Sequence, residues 1–169
     1  MLVDNPILNT PFEEPTRYWA YEEGQPVLKE GLALQFRLRE HTRTTQDIAL
    51  LLRRSLPVED VHRALVAAAL YDLGDWFTFE VARPNQPADL RFPVQSLLDG
   101  RIFEAFHVDV GMDDLLVEPA DMLTAPPLLE FAGILPVSIP TYPLSQQIAK
   151  KVHALTRLYA SGESSRVRD

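Results

Sequence analysis

The sequence predicts an α/β domain, with strands and helices sharing one core. Three observations lead there. Strand-like segments fall over 45–53, 76–84, 90–98 and 101–111; the first and last alternate, and 76–84 is rich in aromatic and β-branched residues. Apolar residues recur at helical spacing over 58–72 and 144–159. Asp99-Gly100, a pair suited to a two-residue hairpin turn, joins two of the strand-like segments.

Composition narrows the class. A chain of 169 residues with 46% apolar content fits one domain with its own core. No apolar run approaches the roughly 20 residues of a membrane span. Asp4 comes early and no basic start precedes an apolar stretch, which argues against a signal peptide. Without cysteine there is neither a disulfide framework nor a thiolate metal site. Together these point to a cytoplasmic protein. The net charge of −8 argues against a broadly basic nucleic-acid surface. It leaves room for a local one, because Arg37, Arg39, Arg43, Arg53 and Arg54 cluster. They read either as a solvated face or as a phosphate-binding rim.

The elements follow in order. Residues 1–26, with Pro6, Pro11, Pro15 and Pro26, read as an extended arm that packs Phe12, Tyr18 and Trp19 on the core. The domain proper is expected over 27–169. Leu32, Leu34, Phe36 and Leu38 lie in a Gly-led helical segment. In the strand that follows, Ile48, Leu50 and Leu52 point one way, and Thr45, Asp47, Ala49 and Leu51 the other. A carboxylate such as Asp47 beside an apolar row calls for a partner or a metal.

Pro57 opens a helix with Glu59 and Asp60 in its first turn, where acids suit the dipole. Val58, Val61, Leu65 and Ala68 form its stripe to about Asp72, and Gly74 ends it. Trp76–Pro84 and Leu90–Leu98 read as strands, with Pro93 marking an edge or a bulge. The hairpin returns through Arg101–Gly111. There Phe103, Ala105, His107 and Asp109 share one face, and Phe106, Val108 and Val110 the other. Asp109 therefore repeats the situation of Asp47. Either it caps the next turn with Asp113 and Asp114, or it meets Asp47 from a neighbouring strand.

Residues 112–142 are proline-rich, with a short helix near Pro127–Phe131, a strand near Leu135–Ile139, and Glu118 and Asp121 in solvated loop. The last helix, Leu144–Tyr159, shows an apolar stripe of Leu144, Ile148, Leu155 and Leu158. Lys151 falls inside it, so its ammonium must snorkel past the core or find an anion. His153 lies opposite. The four histidines have no zinc-like spacing, and neither a Gly-rich phosphate loop nor a Ser-His-Asp context is present.

Several of these segments resemble the nucleotidyltransferases grouped as AbiEii/AbiGii-type toxins of type IV toxin–antitoxin and abortive-infection systems. LKEGLALQFRLREHTRTTQDIALL resembles that family's LKGGxALxxRxxxxxRxTxDxDL, with Gly31, Arg43, Thr45 and Asp47 matching. FHVDVG resembles the segment that carries its third aspartate, here Asp109. AKKVHA resembles A-E-K-x-H-A, whose lysine, here Lys151, faces the active site, while Lys150 replaces the glutamate. SSRVRD resembles S-R-x-K-D.

The resemblance covers about residues 27–169. It implies a mixed sheet flanked by helices, magnesium on Asp47 and Asp109, and nucleotide phosphates near Gly31, Arg43 and Thr45. It also implies a nucleoside triphosphate donor, an RNA (tRNA) or protein acceptor, and a cognate antitoxin. Two departures weigh on catalysis: Glu30 replaces the first glycine, and Ala49 replaces the second aspartate of D-x-D. A catalytically inactive relative that binds nucleotide or antitoxin is the alternative they imply.

Relatives continue past this family segment into further helices. An uncovered apolar face on the last helix, with association through Ile148, Val152 and Tyr159, is therefore expected. The opening NPILNTPFEEPTRYW resembles helicase-like restriction endonuclease subunits instead, as a foreign leader joined near Val27 would.

Overall fold

The computed structural model describes residues 25–38, 45–71, 76–86, 90–112, 114–127, 130–133 and 136–156. The expected arm, with Phe12, Tyr18 and Trp19, lies outside them, as do Arg39, Arg43, Gly74, Leu158 and Tyr159.

The elements are β1 (Val27–Lys29), α1 (Glu30–Leu38), β2 (Ile48–Leu51), α2 (Val58–Ala69), β3 (Phe77–Val81), β4 (Arg91–Leu98), β5 (Arg101–Gly111), β6 (Asp121–Thr124), a 3-10 turn (Glu130–Ala132), β7 (Ser138–Thr141) and α3 (Leu144–Thr156). The strands form one mixed sheet in the order β3-β4-β5-β2-β1-β7-β6. β2 runs parallel to β5, and β1 parallel to β7; the other pairs are antiparallel.

The long hairpin β4–β5 forms where the sequence asks for it. Asp99 and Gly100 both take positive φ, 50° and 73°, the backbone that matches the twist of the flanking strands. Pro93 sits in an interior strand rather than at an edge or in a bulge, and the register shift falls at Ser96/Leu97. The proline is tolerated because its carbonyl accepts from Ala82 N–H at 2.9 Å, one residue past the end of β3. Its missing donor faces the same side, where the β3 ladder has run out.

One face of the sheet is dry. Val61 and Leu65 of α2 pack on Leu52, Phe92, Val94, Val108 and Val110, with Ile48, Leu50 and Phe106 partly buried beside them. The alternation predicted for β2 and β5 is the alternation observed. Phe92 is fully buried, which stabilises the fold by roughly 2–3 kcal/mol. On α2 the buried small residue is Ala64; Ala68 is exposed, and the helix stops at Ala69 rather than near Asp72. The opposite face holds α1, α3 and a smaller cluster of Val27, Leu51 and Tyr142. That face carries the chemistry.

β1 and β6 escaped the sequence reading because three or four residues show no period; pairing with neighbours makes them strands. Asp121 therefore opens β6 rather than lying in loop, and Glu118 accepts from Ser145 Oγ at 2.8 Å. The expected strand over 135–139 is shifted to Ser138–Thr141. The helix expected near Pro127 is a single 3-10 turn.

α3 carries the uncovered apolar face expected of it: Leu144, Ile148, Val152 and Leu155 are exposed, three of them by more than half, so the stripe does not enter a core. The residue it buries is Gln147. Lys151 therefore has no core to pass.

Candidate active site

Register alone builds the site. Lys29 pairs with Ala49, Ala49 with Asp109, and Asp109 with Arg91. Directly paired residues share a face, so these four side chains form one row across β1, β2, β5 and β4 on the face away from α2. Strands lie about 4.8 Å apart, so Ala49 stands one strand from Lys29 and one strand from Asp109.

At one end of the row two carboxylates converge. Asp47 lies just before β2, where the ladder with β5 begins. There its Oδ1 accepts the backbone N–H of His107 at 3.2 Å and lies 3.2 Å from His107 Nδ1. Arg91 Nη2 donates to Asp47 Oδ2 at 2.8 Å, and Nη1 to Asp109 Oδ2 at 3.2 Å. Asp109 thus meets Asp47 from the neighbouring strand and pairs with Arg91.

The two acids titrate in opposite directions. Partial burial would raise both. At Asp47 the His107 hydrogen bond and the Arg91 charge outweigh it and hold the carboxyl below its usual range. At Asp109 burial prevails, aided by the charges of Asp47 and Glu30 against that of Arg91, and the carboxyl is pushed up.

At the other end the signs invert. Lys29 and Lys150 both pair with Asp114, and both ammonium groups lie over the Tyr142 ring, 5.6 and 5.4 Å from its centroid. Burial opposes the charged states of Asp114 and Lys150. The hydrogen bonds and charges of the two lysines nevertheless hold Asp114 low, and Asp114 holds Lys150 high. Next to them opens a cleft of about 360 Å³ lined by Lys29, Glu30, Tyr142, Gln147, Lys151 and His153. Gln147 Oε1 is buried there without a hydrogen-bond partner among the described residues, and the buried Tyr142 Oη lies by the Lys150 ammonium, whose charged form it supports. Gln147 Nε2 holds the Glu30 carbonyl at 3.0 Å, which ties α3 to the start of α1.

Gly31 and Thr45 meet for a steric reason. A Cβ on Gly31 would lie 2.8 Å from Thr45 Oγ1 and 2.9 Å from its Cβ, so α1 packs against the entry to β2 only without a side chain. Thr45 Oγ1 in turn makes a long bond, 3.4 Å, to the carbonyl of Asp47. Glu30, at the position where the resembling family has its first glycine, takes φ +57°. This backbone suits glycine and costs another residue about 1–2 kcal/mol.

Of the arginine cluster, Arg37, Arg53 and Arg54 are described. Arg37 is a structural clamp, bonded to Asp121 at 2.6 Å and to the Tyr142 carbonyl at 2.9 Å. Arg53 and Arg54 are exposed, Arg53 beside a shallow groove with Leu115 and Met122. Of the sequence-predicted residues, the structure brings Asp47 and Asp109 together, and Gly31 and Thr45 together; Lys151 borders the cleft.

Sequence matching over residues 21–169 aligns the chain with the family described as Nucleotidyl transferase AbiEii toxin, Type IV TA system. The chain belongs to this nucleotidyltransferase toxin family. The fold agrees: MenT4, a nucleotidyltransferase toxin from Mycobacterium tuberculosis H37Rv, superposes with a TM-score of 0.61 at 19% identity. The match covers 75% of this chain and 43% of that one, so the chain spans less than half the length of MenT4. No curated protein matches significantly. No described helix is long and apolar enough to cross a membrane.

Sequence reasoning missed Arg91, Lys29, Asp114 and Tyr142. In LRFPV, Arg91 stands opposite Phe92, which gave its face but not its partner. Lys29 precedes the signature, and its role follows only from β1, a strand too short to read. Among the described residues no group of three or more acidic or histidine side chains could cage a metal. The two aspartates do converge on a single cationic group, as a divalent ion would also require. Magnesium is commonly held by one or two carboxylates plus substrate phosphates, and this donor set fits that manner of binding.

Proposed function

We propose that the chain binds a nucleoside triphosphate with magnesium and transfers its nucleotidyl group to an RNA or protein acceptor. The observation that supports this most directly is the cross-strand row. It sets an acidic end at Asp47 and Asp109 against a cationic end at Lys29, Lys150 and Lys151.

In such a transfer an acceptor hydroxyl attacks the α-phosphorus. The bond to the β-phosphate breaks, pyrophosphate leaves with the electron pair, and the hydroxyl proton passes to solvent or a base. Little covalent work falls on the protein; it positions the reactants and balances charge. Magnesium, when bound, would neutralise phosphate charge and polarise the reacting phosphoryl. Asp47 and Asp109 would hold it. Lys151 and Lys29 would face the phosphates from the cleft, and the unpartnered Gln147 Oε1 would meet a polar group of the nucleotide. Gly31 and Thr45 would keep the loop close, and Arg43 would join them. A cognate antitoxin would cover this face.

One observation favours a weaker form of this reading. Ala49 occupies the row between Lys29 and Asp109 where a second D-x-D carboxylate would stand. The second reading is therefore a binding protein with the same cleft and little catalysis.

The test is transfer of label from each α-labelled nucleoside triphosphate to total RNA with magnesium, beside the D109N variant. Magnesium-dependent label from the parent chain, lost in D109N, supports transfer. Absence of label from a folded parent chain that still binds nucleotide selects the second reading.

A further inference from the structure

Arg91 reaches both metal-ligand candidates at once, and nothing in the proposed reaction uses it. Its two terminal nitrogens take Oδ2 of Asp47 at 2.8 Å and Oδ2 of Asp109 at 3.2 Å. Two acids on one guanidinium leave the group at a net charge of about −1. A planar fork suits this bridging, whereas a lysine ammonium does not. All three side chains are substantially open to solvent, from 39% to 43%. An aqueous cation can therefore reach the same oxygens.

We propose that Arg91 is a built-in competitor for the divalent cation: the guanidinium and the ion take Asp47 and Asp109 in turn, not together. This rests on the reading that these two carboxylates hold a metal. Magnesium and manganese draw carboxylate oxygens to about 2.1 Å, a space no guanidinium nitrogen can share. A unit positive charge a few ångströms from a dication is also repelled strongly where water is partly excluded. Entry of the ion thus requires Arg91 to leave. Ion pairs this exposed add little to stability, so the arginine is dispensable to the fold.

The second cation on the row cannot take this part. Lys29 is held by Asp114, and its ammonium lies 3.6 Å from where a Cβ of Gly111 would be, two residues beyond Asp109. Ala49 offers no carboxylate to divide the load. Among the described residues, Arg91 is the one side chain that reaches both acids; His107 touches only Asp47.

The experiment is manganese binding, measured by calorimetry and by the loss of the free-ion paramagnetic signal, on the parent chain, R91A and R91K. R91A is expected to bind Mn²⁺ more tightly than the parent by up to about tenfold, which corresponds to releasing two exposed ion pairs. R91K should fall between, since one ammonium cannot bridge both oxygens equally. D47N in the R91A background should remove the gain. If Arg91 merely shaped the site, its removal would loosen the carboxylates and weaken Mn²⁺ binding. Equal or weaker binding by R91A therefore overturns the inference and leaves the metal reading standing. No binding by any variant overturns both. Tighter binding without any label transfer keeps the inference and removes the transfer. Should R91A not fold by circular dichroism, R91Q is read in its place.

Discussion

The two ends of the cross-strand row are charge inversions of one another. At one end two acids share a single guanidinium; at the other two ammonium groups share a single carboxylate. Each end is left with one uncompensated charge, negative beside Asp109 and positive beside Lys150. The comparison teaches that polarity along the face is set by internal counter-ions rather than by crowding of like charges. Such an arrangement stays folded without ligand, and it is poised for a cation at one end and an anion at the other.

The strongest way to break the inversion is A49D, which sets a third carboxylate between the ends. If Ala49 is what limits turnover, magnesium-dependent label transfer should rise by about 10²-fold, the few kcal/mol that one added metal ligand can supply. No rise in a folded variant would place the deficit elsewhere on the row. G31A separates the ends by another route, because its methyl must push Thr45 away. It should cost about 2 kcal/mol in a denaturant titration, as overpacking does.

E30G sharpens the comparison in the opposite sense. It relieves the positive φ of Glu30 and removes a negative charge that bears on Asp109. A gain of about 1 kcal/mol is expected, reduced by the added freedom of glycine in the unfolded chain.

The smallest effect is on pH. Asp114 has a lowered pKa, so its contribution is present above the unfolded value, about pH 4, and is lost as pH falls through the lower folded value. Lys150 has a raised one, so its contribution is present below the unfolded value, about pH 10.4, and is lost above it. D114N should flatten the stability profile at both extremes, as urea midpoints across pH would register.

Legibility in the sequence followed the length and regularity of the signal. The bounds of β5 were readable because the alternation over Phe106–Val110 and an Asp-Gly turn fix its ends; the bulge that leaves Phe103 unpaired was not. The faces of Asp47 and Asp109 followed from period two. Their adjacency did not, since register between strands sixty residues apart is a tertiary matter. On α3 spacing gave the stripe of Leu144, Ile148 and Leu155 but could not say whether anything covers it; the resemblance to longer relatives supplied the expectation that the face is open, which the exposure of Ile148 and Val152 matches. Lys29 and Arg91 were hidden for related reasons, one in a three-residue strand and one whose partners sit on other strands.

The order of the sheet also bears on how the site comes into being. β4 and β5 are neighbours in sequence, and such a hairpin closes within about 1–10 μs. The parallel pairing of β2 with β5 must close a loop of sixty residues, a length-dependent entropy of about 3.6 kcal/mol. Loop length alone therefore favours Arg91 meeting Asp109 first, through the hairpin, with Asp47 joining later. The arginine already screens one acid when the second docks beside it. The anionic end of the row is in this sense assembled around its own escort, and the late step joins a half-neutralised pair rather than two bare charges.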